Sequence, residues 1–328
     1  MRNNKDTEKK YFFAISIPTR NRSEFLKSGI IEQLSKLAEL NIGVYIFDNS
    51  DDSLTRNLIE PYLEKFTNIY YLKNKELLCA GENIYQAFLI PKAEYILVIG
   101  DGLIVKENYL EEIIKYLKYY NPTCLILNSR VKDIRDKEYN ECLEFFKELT
   151  WHCTLLGSTI YSSQIINICR DNSIFEKYKY NDFIQLGILL EGILLLENFK
   201  ILFKYKTVLE NSNKKIIKVS CWRHHAFDTF GINWIEFIEK LPNYYNMLKD
   251  KVILEHGIKS GLFTFKGFIR LREDGFFSYK DIKEYSFLFP KITTLNKRWI
   301  ILVSVLPINL TKIFGKIYRK IKEGIKNG

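Results

Sequence analysis

Apolar and polar positions alternate between two periods in the first third of the chain. "YFFAISI" (11–17) is a continuous apolar run of strand length, as expected for a strand covered on both faces. Residues 18–40 open with turn chemistry and then place Phe25, Ile30, Ile31, Leu34 and Leu37 on one helical face. "IGVYIFD" (42–48) predicts a second strand, and "SLTRNLIEPYLEKF" a second helix interrupted at Pro61. "IYYLKN" (69–74), "GENIYQAFLI" (81–90) and "YILVIGD" (95–101) predict a third strand, a third helix and a fourth strand. Such alternation predicts right-handed crossovers and a mostly parallel sheet with helices on both faces.

The pattern continues with a helix over 107–120 and a strand at "TCLILNS". From about residue 215 it becomes mainly helical. Two regions are therefore expected, an α/β domain over 1–215 and a helical extension over 216–328.

In parallel sheets ligands bind beyond the carboxyl ends of the strands. The segments there are Pro18-Thr19-Arg20-Asn21-Arg22 after the first strand, Asp48-Asn49-Ser50-Asp51-Asp52 after the second, and Gly100-Asp101-Gly102 after the fourth. Each is also ordinary turn or helix-cap chemistry. Asp101 reads either as a turn residue or as the holder of a metal or ligand. It is the joint occurrence at strand ends that points to a site.

Composition narrows the class. The 328 residues are 47% hydrophobic and 27% charged, which suits a folded chain. The net charge of +10 fits nucleic acid, an anionic membrane or phosphorylated small molecules. No recognition motif or dense basic–aromatic patch supports nucleic acid. The six cysteines form no CxxC pair and match no zinc spacing, so reduced thiols and a cytoplasmic location are expected. No signal peptide or membrane-spanning run is apparent. The end of the chain differs: in 311–328, Ile313, Phe314, Ile317, Ile321 and Ile325 recur at helical spacing among Lys312, Lys316, Arg319, Lys320 and Lys322. That predicts an amphipathic helix lying on an anionic membrane surface, hence peripheral attachment to its inner face.

"ISIPTRNRSEFL", "VYIFDNSDD", "GENIYQAF" and "AEYILVIGDG" together resemble the nucleotide-sugar half of a GT-A glycosyltransferase. The order is most similar to the inverting family 2 enzymes of bacterial capsule and O-antigen synthesis. The resemblance implies a GT-A fold, a nucleotide-sugar donor (UDP-linked) and a lipid-linked oligosaccharide acceptor. It implies that Pro18, Thr19 and Arg22 pack around the nucleoside and that Asp48, with Asn49, meets the base. Asn83 would lie near the ribose or diphosphate, with Gly100 allowing close approach. Asp101 would hold a divalent cation, Mn2+ or Mg2+, or the ribose hydroxyls. Asp182 is the implied general base, with Glu191 in reserve. Arg223, or one of His224 and His225, would close over the diphosphate or assist the metal. One departure stands out: Gly102 and Leu103 follow Asp101 where the family commonly carries further acids. That leaves open a degenerate glycan-binding relative. A sugar nucleotidyltransferase fits less well, because "SIPTRNR" lacks the glycine-rich loop such enzymes need.

Overall fold

Residues Tyr11–Thr19 form the first strand, β1, which has a neighbour on each edge and side chains buried on both faces, as its apolar run predicts. In chain order follow helices α1 (Ser23–Lys27) and α2 (Ile30–Glu39), strand β2 (Gly43–Asp48), helix α3 (Leu54–Lys65), strand β3 (Ile69–Lys73), helix α4 (Ala80–Leu89) and strand β4 (Ala93–Val98). The short strand β5 (Leu103–Val105), helix α5 (Leu110–Tyr120), strands β6 (Cys124–Asn128) and β7 (Lys137–Tyr139), helix α6 (Cys142–Cys153) and strand β8 (Thr159–Ser162) come next. Helices α7 (Ser163–Asp171), α8 (Ile174–Tyr178) and α9 (Ile184–Gly192) lead to strands β9 (Ile201–Thr207) and β10 (Leu209–Asn211). The computed structural model describes residues 10–212 and 222–313.

Eight strands form one sheet in the order β3-β2-β1-β4-β8-β6-β9-β7. The first four are parallel, as the sequence pattern predicts. Strand β8 then enters antiparallel to both β4 and β6, and β7 runs antiparallel to β9. Strands β5 and β10 pair separately as an antiparallel ribbon. The helices flank this sheet, which gives the mostly parallel α/β architecture expected. The apolar face of residues 18–40 is buried as predicted, with Phe25, Ile30, Ile31, Leu34 and Leu37 all in the interior.

Two local expectations are corrected. Pro61 does not interrupt its helix, which runs unbroken from Leu54 to Lys65. Proline removes the hydrogen bond to residue 57, but Asn57 and Pro61 are both exposed, so water can satisfy the freed carbonyl. Conversely, the first helix is split at Gly29. A Cβ there would lie 2.8 Å from Ser212 Cβ and 2.9 Å from the Phe25 carbonyl, so the chain bends where another strand's end approaches.

The chain divides into two compact units, Met1–Ser220 and Cys221–Gly328. The boundary expected after residue 215 falls outside the described residues. The second unit carries helices α10 (Trp234–Lys240), α11 (Lys249–Lys259), α12 (Phe265–Glu273), α13 (Tyr279–Tyr285), α14 (Phe289–Ile292) and α15 (Lys297–Val305). Phe227 anchors its interior, stacked 5.6 Å from Phe263 and 5.1 Å from Tyr285. Among the described residues no helix is long and apolar enough to cross a membrane.

Candidate active site

Strand order reverses at β1: β2 and β3 extend the sheet to one side, and β4 lies on the other. That switch point, beyond the carboxyl ends of β1 and β4, is the position favoured for ligands in open α/β sheets. Parallel pairing sets Thr19 level with Asp48, and Ser16 level with Val98. The three polar segments singled out in the sequence therefore meet on one edge.

Asp101 lies on this edge. Its Oδ2 accepts a 2.8 Å hydrogen bond from the Thr19 hydroxyl, and its Oδ1 forms a 3.1 Å ion pair with Arg22 Nε. Only 8% of the residue is exposed. Burial pushes its carboxyl above the usual range, and the Arg22 charge, the Thr19 hydroxyl and the Gly102 N–H counter only part of that. The Arg22 guanidinium lies 4.0 Å over the Phe25 ring. Gly100 borders open space, since a Cβ there would meet nothing within 4 Å.

Asp48 is sealed. It is fully buried, with Oδ1 accepting from the Ser50 N–H (2.9 Å) and Oδ2 from Tyr71 (2.6 Å) and Lys73 (3.2 Å). Burial raises its carboxyl, but the hydrogen bonds from Ser50, Tyr71 and Lys73 outweigh it and hold the group below its ordinary value. A nucleobase reaches this carboxylate only if Lys73 or Tyr71 shifts. Pro18 pairs with Phe47 one residue earlier in the strands.

Asn49 and Asn83 belong to an amide network beside it. Asn49 donates to the Leu78 carbonyl (2.8 Å) and accepts from the Leu78 N–H (3.0 Å). Asn74 donates to both Asn49 (3.1 Å) and Asn83 (3.0 Å), and Asn83 donates to the Phe47 carbonyl (3.3 Å). These amides fix the loops after β2 and β3 to α4. The first and second loops are stitched in the same way: the Asn21 N–H donates to Ser50 Oγ, and Asn21 Nδ2 donates to Asp51 (2.9 Å). Asn21 itself is left-handed, with φ 54°, a conformation asparagine tolerates.

The proposed base lies on the loop before α9. Asp182 is exposed, and Asn181 caps the turn by accepting from the Phe183 N–H (2.9 Å). This loop is locked to the start of α4. A Cβ on Gly81 would sit 1.7 Å from the Lys179 carbonyl, a contact only glycine permits. Cys79 and Glu82 cap that helix reciprocally, with the Glu82 N–H donating to Cys79 Sγ at 3.4 Å and the Cys79 N–H donating to Glu82 at 3.1 Å. Glu191 is placed differently. It is buried in α9, ion-paired with Lys177 and hydrogen-bonded by Tyr178.

Arg223, His224 and His225 fall in the second unit, on a 3-10 turn from Trp222 to His225 rather than a strand. His224 and His225 are exposed; His224 rests 3.8 Å from the Phe276 ring and His225 3.8 Å from Asp228. Among the described residues no three His, Cys, Asp or Glu side chains form a metal-holding group.

The divalent cation implied by the resemblance meets a donor set that does not fit it. Mg2+ and Mn2+ want carboxylate oxygens free to ligate. Here a single carboxylate faces the site, buried beside the Arg22 cation and hydrogen-bonded by Thr19, and Gly102 and Leu103 add no second acid.

Sequence reasoning included Ser50 in the segment after the second strand but missed Tyr71, Lys73, Asn74 and the Gly81–Lys179 contact. The signal for Lys73 and Asn74 was available, since Lys73 ends the third strand as Thr19 and Asp48 end the first and second, and Asn74 follows it.

Comparison with known proteins now bears on this edge. The glycosyl transferase family 2 pattern matches residues 14–182. The chain belongs to glycosyltransferase family 2. The match begins within β1 and ends on Asp182, so it spans every first-unit site residue above except Glu191. No curated protein sequence matches the chain. Among solved structures, this family 2 chain is similar to residues 1–349 of TarS from S. aureus, with 15% identity over 80% of this chain and 79% of that one and a TM-score of 0.51. It also matches the same TarS segment in complex with UDP-GlcNAc (16% identity, 80% and 78% covered, TM-score 0.49). A third match is the mannosyltransferase PcManGT from Pyrobaculum calidifontis in complex with GDP-Man and Mn2+ (11% identity, 92% and 88% covered, TM-score 0.49). The first of these likenesses supports the GT-A fold.

Proposed function

We propose that this family 2 member transfers a hexose from a UDP-linked donor to a hydroxyl of a lipid-linked glycan, with inversion, in bacterial surface polysaccharide synthesis. The observation that carries the reading is the polar constellation at the switch point, where Thr19, Arg22 and Asp101 meet within a matched family 2 domain. The donor diphosphate lies against this edge, where Arg22 and Lys73 pair with the buried Asp101 and Asp48 and Arg20 pairs with the exposed Asp51. Gly100 leaves room for the nucleotide.

Inversion needs one base on the face opposite the leaving group. Asp182 is that base in this reading, because it is exposed on a loop held to α4 by the Gly81–Lys179 contact. It accepts the acceptor hydroxyl proton as that oxygen attacks the anomeric carbon and the bond to the diphosphate breaks. Glu191 serves the interior instead, paired with Lys177. No step runs through a divalent cation, because the donor set does not fit one.

A lipid-linked acceptor calls for a membrane surface. Support comes from α15 and the residues after it, where Trp299, Leu302, Val305, Leu310 and Ile313 are exposed. Lys297, Arg298 and Lys312 are exposed alongside. The amphipathic tail expected over 311–328 otherwise lies outside the described residues. Attachment to the cytoplasmic membrane face is part of this proposal.

A degenerate, glycan-binding relative is the second reading, favoured by the lone acid after β4. One experiment separates the two. The protein is incubated with a panel of UDP-sugars and vesicles bearing a polyprenyl-diphosphate saccharide, and UDP release is followed. Release by wild type, with Asp182→Asn slower by about a hundredfold or more and UDP affinity unchanged, supports catalysis. Binding of the lipid-linked saccharide without UDP release supports the second reading, and binding of neither the UDP-sugars nor the saccharide sinks both.

A further inference from the structure

The seat of Arg22 goes beyond these readings, although the role it suggests rests on a nucleoside-diphosphate donor. Three observations define that seat. Arg22 Nε lies 3.1 Å from Asp101 Oδ1. The guanidinium lies 4.0 Å over the Phe25 ring, a cation–π contact that fixes its plane. A Cβ on Gly102 would lie 3.3 Å from Arg22 Nη2 and 3.4 Å from Phe25.

The last contact links two facts that look separate in the sequence. A side chain at position 102 would press on both the guanidinium and the Phe25 ring and oblige them to shift by a few tenths of an ångström. The glycine after Asp101 and the seat of the guanidinium are therefore linked. We infer that Arg22 takes the place of the divalent cation in this chain, and that it is the charge that receives the donor diphosphate.

The chemistry of the group fits the task. Arginine carries five N–H donors and stays protonated at any working pH. Nε lies within ion-pair distance of Asp101 without a hydrogen bond to it, and the terminal nitrogens remain to donate. A third of the Arg22 side chain (33%) remains exposed, whereas Asp101 is closed off. The planar fork suits two phosphate oxygens at once. Asp101 and Thr19 then act as positioning residues, holding the guanidinium before the donor arrives. As the glycosidic bond breaks, negative charge grows on the leaving diphosphate, and a preoriented cation stabilises it without reorganising.

Equilibrium binding of UDP, GDP, ADP, CDP and dTDP tests this, measured by calorimetry with EDTA and again with Mn2+. The expected result is one diphosphate bound with the same affinity in both conditions. Arg22→Gln should weaken that binding about tenfold or more, a loss that Mn2+ does not restore, while Arg22→Lys keeps part of it. Paramagnetic resonance supplies a reading independent of turnover. Wild type should take up no Mn2+ beyond what the diphosphate alone binds in solution, and Arg22→Ala combined with Gly102→Asp should take up more. Binding that disappears in EDTA and returns with Mn2+ overturns the inference and leaves the donor reading intact. If no diphosphate binds under either condition, the donor reading falls and takes this inference with it.

Discussion

Thr19 and Asp101 are joined by a 2.8 Å hydrogen bond across the gap between β1 and β4. The donor ends one strand and the acceptor follows another, so this one contact spans the place where the sheet reverses its order. It fixes the orientation of the carboxylate that in turn holds Arg22.

Replacing Thr19 with Val tests how much that orientation matters. The isosteric change leaves a buried carboxylate oxygen without its donor, which costs about 1–3 kcal/mol of stability. Nucleotide binding should weaken as Arg22 loses its anchor, by about tenfold. Thr19→Ser should restore both, because the hydroxyl returns. Chemical denaturation and calorimetry read the two effects; equal behaviour of Val and Ser at this position would show that the bond is idle.

Two glycines near the site should respond oppositely to alanine. At Gly81 the new methyl would collide with the Lys179 carbonyl, so the loop bearing Asp182 must move. Gly81→Ala is expected to lower stability by about 1–3 kcal/mol and to slow turnover. At Gly100 the methyl would enter open space. Gly100→Ala should therefore unfold like wild type yet bind nucleotide more weakly, since the added group stands where the ligand approaches. Thermal melts paired with binding isotherms distinguish the cases, and a destabilised Gly100→Ala protein would contradict the geometry.

His152 predicts a pH dependence of stability. It is fully buried, with Nε2 3.0 Å from the Leu127 carbonyl, and burial pushes its pKa from 6.5 down to about 4. Between those values the unfolded chain binds a proton that the folded chain refuses. Its contribution is thus intact above pH 6.5 and is lost as pH falls towards 4. The loss amounts to about 3 kcal/mol if the full shift is realised. Urea titrations across this range should show a slope that His152→Gln reduces by the histidine's share.

Much of the first unit was legible because a parallel strand covered on both faces reads as an unbroken apolar run. Tyr11–Thr19 and Ala93–Val98 announce themselves this way, and the polar residues that follow them mark the site edge. What was hidden depends on register between distant segments. Asp48 looked like an open acceptor, yet β3 pairs Lys73 directly beside it and brings Tyr71 onto the same carboxylate. The antiparallel entry of β8 was equally invisible, since Thr159–Ser162 carries only four residues. Gly81 gave no sign of its role, because its partner at Lys179 arrives from nearly a hundred residues downstream.

That late arrival of β8 also has a consequence for the order of synthesis. Strands β1 to β4 are complete once residue 98 has been made, but β4 finds its second neighbour only when residues 159–162 emerge. Until then the growing chain exposes a flat, apolar strand edge, the kind that recruits other chains. A nascent or truncated chain ending before β8 leaves that edge of β4 unpaired and is expected to aggregate more readily than the whole chain.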